Sequence, residues 1–500
     1  MKIIHIAGLA VTGLILASSC SKQYLDKSDP TKVGTELFYK DAKQVEQAVN
    51  GVYGTLQGLT NNAWLLFEQI TDNTTIDLNP ADRGGAGSTE TFEFFNVNSG
   101  NGYIQDYYSG AYNSIYNINI ALQKMQGGEL SEEDRLLNEG QLKFIRAYVY
   151  FELVQAFGEV IVITEPLADP QLSYDYARKP VDTAYALIIQ DLNDAVAGLP
   201  ESYPAEGIGR ATKGAALTLL GKVHLTRKEY PEAQEALSQV LSLGYSLVPN
   251  YADIFDPEKK NGPESIFDVQ YQGGNDQGEW SGFVYWMAPR ISEGFVTGWP
   301  QSSPAGFNIP TNDIINTYEP DDKRKEASIG LDFNSPVTGE LIPYTKKYAH
   351  PHTIYNRTDD NWPVLRYSDA LLMLAEAINE QSGPNGDAYT YINDVRDRAG
   401  LPPVAGLDQS KFRDTLMHER RIELAFENWR WFDLKRTKTT AELAAFMNAY
   451  GAKEKANPTV QRQGVPFSTL DYVFDEFEAL LPIPNREILT NSSLVQNPGY

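Results

Sequence analysis

Residues 41–59, DAKQVEQAVNGVYGTLQGL, set Val45, Ala48, Val49, Val52 and Leu56 three or four positions apart. That spacing puts the apolar side chains on one stripe of a helix, and such a stripe must be covered by a partner. GAYNSIYNINIALQKM and EEDRLLNEGQLKFIRAYVYFELVQAFG repeat the pattern, the second stopping at Gly158. GRATKGAALTLLGKVHLTRKEYPEAQEALSQVLSLGY reads as two helices joined at KEYPEA. Small residues, Gly221 and Ala233, stand where the two would cross, and Leu217, Leu220, Tyr230, Leu237 and Val240 supply bulk. This is the spacing of a tetratricopeptide unit, with Tyr245 where a closing proline is usual. A second such unit starts at RYSDALLMLAEAINE and continues with AYTYINDVRDRAGLP, placing Leu371, Leu374, Ala375, Ala388, Ile392 and Val395 comparably. Two units are too few for a free-standing solenoid, so further helices must pack against them. The expected fold class is mostly α.

Between the helical stretches the texture changes. From about 265 to 348, and again from 64 to 108, the chain is rich in Gly, Pro, Asn and aromatics, with short β-like runs such as SIFDVQY. Loops this long inside a compact domain carry function, and their aromatic content argues against disorder.

The N-terminus reads separately. Ile3 to Ala17 is apolar except for His5 and Thr12, too short to span a bilayer, which takes about 20 residues, but suited to a signal peptide. Cys20, the single cysteine of 500 residues, follows the small residues Ala17, Ser18 and Ser19. With no second cysteine it closes no internal disulfide, and a thiol there can be acylated. Residues 1–19 are therefore read as a lipoprotein signal and Cys20 as the lipidation site, although Ala17 stands where Leu is usual. An ordinary secretory signal is the alternative. A single acyl chain holds reversibly, so a stable tether needs several.

Charge narrows the ligands. Lys and Arg number 42 against 66 Asp and Glu, a formal net charge of −24, which repels nucleic acid and leaves neutral ligands open. HERRIELAFENWRWFDLKRT spaces Glu419, Glu423 and Glu427 along one helical face, which at first resembles paired catalytic carboxylates. Interleaved Arg420, Arg421 and Arg430 would instead tie them into ion pairs, with Trp429, Trp431 and Phe432 filling a seam. His350 and His352 lack a metal-ligand pattern, and no GxSxG elbow, Walker loop or dinucleotide fingerprint occurs. No cofactor is expected; a loop-bracing calcium is left open.

The aromatics carry the binding argument. GGNDQGEWSGFVYWMAPRISEGFVTGWPQ holds Trp280, Trp286 and Trp299 with Phe283, Tyr285 and Phe295. An indole face suits the C–H face of a pyranose, and Asn275, Asp276, Gln277 and Arg290 can bond hydroxyls. Exposing several large aromatics wastes burial free energy unless a ligand or partner covers them. Pinning the loop to the scaffold is the competing use. Asp72, Asn73, Arg83, Tyr103 and Tyr107 of the first loop region are expected to face them.

Taken in order, YLDKSDP after the cysteine, AVNGVYGTL, EGQLKFIRAYVYFELVQAFGEV, RATKGAALTLLGKVHL, YPEAQEAL, IPTNDIINTYEPDDKR, YTKKY, LRYSDALLMLAEAINE, HERRIELAFENWRWFDLKRT, LLPIPNREI and QNPGY resemble the SusD/RagB outer-membrane lipoproteins of Bacteroidetes. The resemblance is nearly full-length. It implies one domain over 20–500: about four tetratricopeptide-like helix pairs, from about 40–60, 110–260 and 363–500, carrying loop-rich ligand regions at about 64–108 and 265–348. It further implies a non-enzymatic, lipid-anchored protein at the outer membrane, expected to face the exterior, that captures an oligosaccharide and hands it to a SusC-like TonB-dependent β-barrel transporter. Oligopeptide binding on the same fold, a glycan hydrolase, and a periplasmic protein-binding tetratricopeptide adaptor are the rival readings.

Overall fold

The computed structural model describes residues 39–500 except 78–88, 128, 168, 275–277, 293, 299–303, 353 and 355. The signal segment, Cys20, Arg83 and Trp299 lie outside the described residues.

Helix α1, Ala42–Phe67, starts where the Asp41 side chain accepts from the Gln44 amide, and buries Val45, Val49, Val52 and Leu56 as the spacing predicts. It then runs on through Trp64 to Phe67, because Leu59, Ala63 and all four residues of the last turn are also buried. Helix α2, Gly102–Met125, likewise begins before Tyr108, burying Ile104, Tyr107 and Tyr108. The first loop region is thus shorter at both ends than the expected 64–108. Helix α3, Glu132–Phe157, opens on Ser131 as cap with Glu132, Glu133 and Asp134 in its first turn, where the helix dipole favours anions. From Gln141 to Phe157 every residue but Lys143 is buried, which marks it as the central helix of the stack.

Helices α4 (Val181–Gly198), α5 (Lys213–Thr226), α6 (Tyr230–Val240), α7 (Tyr367–Ser382) and α8 (Gly386–Ala399) continue the array. Each packs on the next, giving four pairs: α1 with α2, α3 with α4, α5 with α6, α7 with α8. Gly221 is required at the α5–α6 crossing, since a Cβ there would lie 2.4 Å from Leu237 Cγ. SIFDVQY forms strand β2, Ser265–Val269, which pairs antiparallel with β4, Trp362–Arg366, just ahead of α7.

Helices α9 (Gln409–Glu423), α10 (Trp429–Thr437) and α11 (Thr440–Ala456) close the scaffold. The glutamate face of α9 is an ion-pair seam, as its interleaved arginines predict. Glu423 is fully buried and bonds Arg324, Arg366 and Arg398; Glu419 bonds Arg324 and Arg396; Glu427 bonds Lys347 and Arg366. Burial would raise the Glu423 carboxyl, but Arg398, Arg366 and Arg324 outweigh it and hold it well below the usual carboxylate range. Trp429, Trp431 and Phe432 are buried in the same seam, Phe432 meeting Phe67 of α1 at 4.8 Å.

Candidate functional site

Two loop regions are sewn together at one end of the scaffold. Strand β1, Thr74–Thr75, pairs antiparallel with β3, Ile309–Pro310. The Thr311 amide donates to Asn73 O, the Asn308 amide to Gln69 Oε1, and the Asp77 amide to Gly306 O at 2.7 Å. Backbone pairing thus joins the first loop region to the second.

On this seam stands a stack of rings. Trp64, buried at the end of α1, faces Phe307 at 6.2 Å, and Phe307 stacks on Trp286 at 6.1 Å with an interplanar angle of 9°. Trp286 is half-buried, with Tyr285 edge-on to it at 5.7 Å. The amides of Ala305 and Phe307 donate to Tyr285 O and Trp286 O, so backbone bonds as well as ring contact fix the indole. A half-exposed ring rigidly backed by two others can accept a flat apolar face without paying to order itself.

Trp280 is half-buried beside this stack in sequence, and the Arg357 guanidinium lies 4.2 Å over its ring. Ser281 and Thr358, next to each, exchange two backbone hydrogen bonds, which sets the pair. The segment bearing Arg357 is held in turn by His350, whose Nδ1 bonds Asp360 at 2.5 Å, and by His352, whose Nε2 accepts from the Asn356 amide. Burial would lower the His350 ring, but its bond to Asp360 and that carboxylate's charge raise it. The two histidines brace a loop and are not brought together as metal ligands; among the described residues no group of three or more His, Cys, Asp or Glu could hold a metal.

Arg290, expected to bond ligand hydroxyls, is engaged by Asp77: its amide donates to Asp77 Oδ2 at 3.1 Å and its Nε to Asp77 O at 3.0 Å. Burial pushes the Asp77 carboxyl up to about 6, against the pull of Arg290. Gly306 fits between them at φ 72°, where a Cβ would lie 2.8 Å from both Arg290 Cγ and Asp77 Cβ.

Two expected ligand contacts are corrected. Asp72 is 1% exposed; Arg430 grips both its oxygens at 2.8 Å, and Arg421 lies 2.9 Å from Oδ2. Burial alone would raise this carboxyl, yet Arg421 and Arg430 bring it down to about 2. Asn73 is fully buried, donating to Glu68 Oε1 and accepting from Arg421 Nε. Both residues lock the loop onto α9 and α10 and present nothing to a ligand. Tyr103 is half-buried in the first turn of α2, and no ring contact joins it to Trp280, Tyr285 or Trp286 among the described residues. Tyr107 is buried and bonds Glu152, and Phe283 is buried against Tyr271, Tyr348 and Trp362. Phe307 and Arg357 were not legible as partners of the tryptophans, since neither lies in the aromatic run that singled those out.

Two family models match the chain: one described as "SusD family" over 332–500, the other as "Starch-binding associating with outer membrane" over 23–225. SusD-like protein P2 of Formosa agariphila is 26% identical, the match covering 97% of this chain and 98% of that protein. Starch-binding protein SusD of Bacteroides thetaiotaomicron is 22% identical over 77% of this chain and 76% of its own. A solved structure named as a laminarin-binding SusD-like protein superposes with a TM-score of 0.76 at 25% identity, covering 92% of this chain and 100% of that one.

Proposed function

The chain belongs to the SusD/RagB family, and from that premise we propose that it captures a neutral oligosaccharide at the Trp286–Phe307–Trp64 stack without cleaving it. The observation that carries this reading is a half-exposed indole backed by two further rings, with a second half-exposed indole, Trp280, six residues earlier. Relatives named for binding starch and laminarin, both neutral glucans, agree with a net charge of −24 that disfavours anionic ligands. Trp280, Tyr285, Trp286 and Trp299 are the proposed stacking residues, and Arg83 and Tyr103 remain proposed flanking contacts.

The family description supports association with the outer membrane, and no helix among the described residues is long and apolar enough to cross one. Lipidation at Cys20 would supply the anchor, and the outer face of the cell is the proposed location. Delivery to a SusC-like TonB-dependent barrel would follow, the neighbouring barrel raising retention of a weakly held sugar through effective concentration. Titration calorimetry of the mature protein with maltoheptaose and laminarihexaose tests capture. Heat from either that Trp286→Ala abolishes or weakens supports it; silence across a broad neutral glycan panel overturns it.

A further inference from the structure

Three consecutive residues, Asn356, Arg357 and Thr358, stand behind both half-exposed indoles. The Arg357 guanidinium covers the Trp280 ring, and Thr358 exchanges backbone hydrogen bonds with Ser281 at 2.9 and 3.1 Å. Asn356 sits against Gly282, where a Cβ would lie 2.9 Å from Asn356 Oδ1 and 3.6 Å from Trp286 Nε1. The Gly282 carbonyl in turn accepts from the amides of Tyr285 and Trp286. Asn356 therefore packs on the turn that carries the stacking indole. It does so with φ at 54°, a left-handed backbone that a residue bearing a Cβ rarely keeps unless its surroundings hold it there.

His352 supplies that hold. Its Nε2 accepts from the Asn356 amide at 3.2 Å, and its Nδ1 lies 3.4 Å from His350 O. An amide N–H only donates and a carbonyl only accepts, so the ring carries its proton on Nδ1 and a lone pair on Nε2. That is the neutral imidazole in one tautomer. A proton taken up at Nε2 would set N–H against N–H and end the bond to Asn356. Burial lowers the ring's proton affinity below the ordinary imidazole value of 6.5, by more than the His350 carbonyl and the Asp360 charge raise it. Among the described residues, Asp360, on the stretch leading into β4, and the neighbouring His350 are the titratable groups that face this ring, and Asp256 faces His350. His350 does not share the switch, because its bond to Asp360 survives protonation.

We propose that neutral His352 is a positioning residue for the glycan platform: a proton on its Nε2 frees Asn356, Arg357 and Thr358, and capture weakens in acid. The consequence for capture rests on the glycan reading above; the release of the loop rests on hydrogen-bond geometry alone. Because folding lowers the proton affinity of this ring, its contribution is full above about 6.5 and is lost as pH falls through the folded value. Trp280 then loses its guanidinium cover, and the turn under Trp286 loses the packing of Asn356. The ligand must order both rings itself, which costs affinity.

Hydrogen–deuterium exchange at the Asn356 amide of ligand-free mature protein, at about pH 7.5 and about pH 5 and corrected for the intrinsic pH dependence of exchange, reads the loop. Calorimetry with maltoheptaose and laminarihexaose at the same two pH values reads capture. His352→Gln offers an amide oxygen that accepts from Asn356 and does not titrate, whereas His352→Ala removes the acceptor. Asp77, which also titrates near this window, is unchanged in every variant, so comparison with His352→Gln removes its share. Wild type should lose protection and about tenfold in affinity on acidification, His352→Gln should keep both, and His352→Ala should resemble acidified wild type throughout. Protection unchanged in acid, or lost equally in His352→Gln, overturns the role of His352 and leaves the platform standing. A loop that opens while affinity holds overturns its control of capture. Lost protection without heat from any glycan at either pH upholds the release of the loop and overturns the platform reading.

Discussion

Replacing Glu423 by Gln is the sharpest test of the seam that holds the scaffold together. The carboxylate is fully buried; Oε1 accepts from Arg398 Nη2 at 2.5 Å and Arg366 Nη1 at 3.0 Å, and Oε2 from Arg324 Nη1 at 3.1 Å. Gln keeps the shape but removes one negative charge from among three buried guanidiniums, and its amide must turn N–H groups toward at least one of them. Breaking a buried ion pair from one side costs about 3–5 kcal/mol, because a charge is left uncompensated. Here Arg324 retains Asp322 and Glu419, Arg366 retains Glu264 and Glu427, and Arg398 retains Glu264, so the lower half of that range is expected. Against a typical native margin of about 5–15 kcal/mol this is a large fraction. Urea unfolding followed by tryptophan fluorescence should show the midpoint drop by about 1 M or more, taking a slope of about 3 kcal/mol/M. Glu132→Gln, which breaks only an exposed pair with Arg135 near the start of α3, should leave the midpoint in place. Glycan heats should be unchanged in Glu423→Gln, since it lies away from the ring stack. A loss under about 1 kcal/mol, the level of a surface pair, would refute the claim that these charges act as a buried clamp.

At the platform, Trp286→Ala should weaken glycan affinity by about 1.5–3 kcal/mol, roughly 10- to 100-fold, read by calorimetry, while the melting temperature moves little by comparison with core changes. Gly306→Ala puts a Cβ into a left-handed backbone and against Asp77 and Arg290, so both the melting temperature and glycan affinity should fall; an unchanged affinity would detach this turn from the site. Asp77, held at about 6 in the fold against about 4 unfolded, contributes stability that is full below pH 4 and is lost as pH rises through 6, so Asp77→Asn should flatten the stability slope over that window. Asp72 runs the other way: its carboxyl at about 2 contributes above pH 4 and is lost as pH falls toward 2, and Asp72→Asn should remove that acid-side loss in a pH series of melting temperatures.

What could be read from the chain, and what could not, follows from the range of the interactions. The α-helical stripes were legible because each is written in residues three and four apart, and Gly221 could be placed at a crossing because its partner, Leu237, lies on the next helix. The ionic role of Glu423 was legible from the arginines interleaved around it, even though the guanidiniums that bond it, Arg324, Arg366 and Arg398, come from other segments. Asp72 was misread for the complementary reason. Its local surroundings, TDNTT, look like a polar ligand loop, and the arginines that claim it are about 350 positions later, on α9 and α10. The end of α1 lies beyond the boundary near 60 that the sequence suggests, because the turn carrying Trp64 is buried, with Trp64 against Phe307, a contact far away in sequence. The same contact explains the platform. A tryptophan run alone does not say which ring is backed and which is swallowed; Phe307, reached across a backbone turn at Gly306, decides that Trp286 stands half-exposed on a rigid support while neighbouring Phe283 is buried. The proposed platform therefore lies where two loops cross over the end of a helix, and on that proposal a substitution at that crossing should alter ligand choice without touching the helical array.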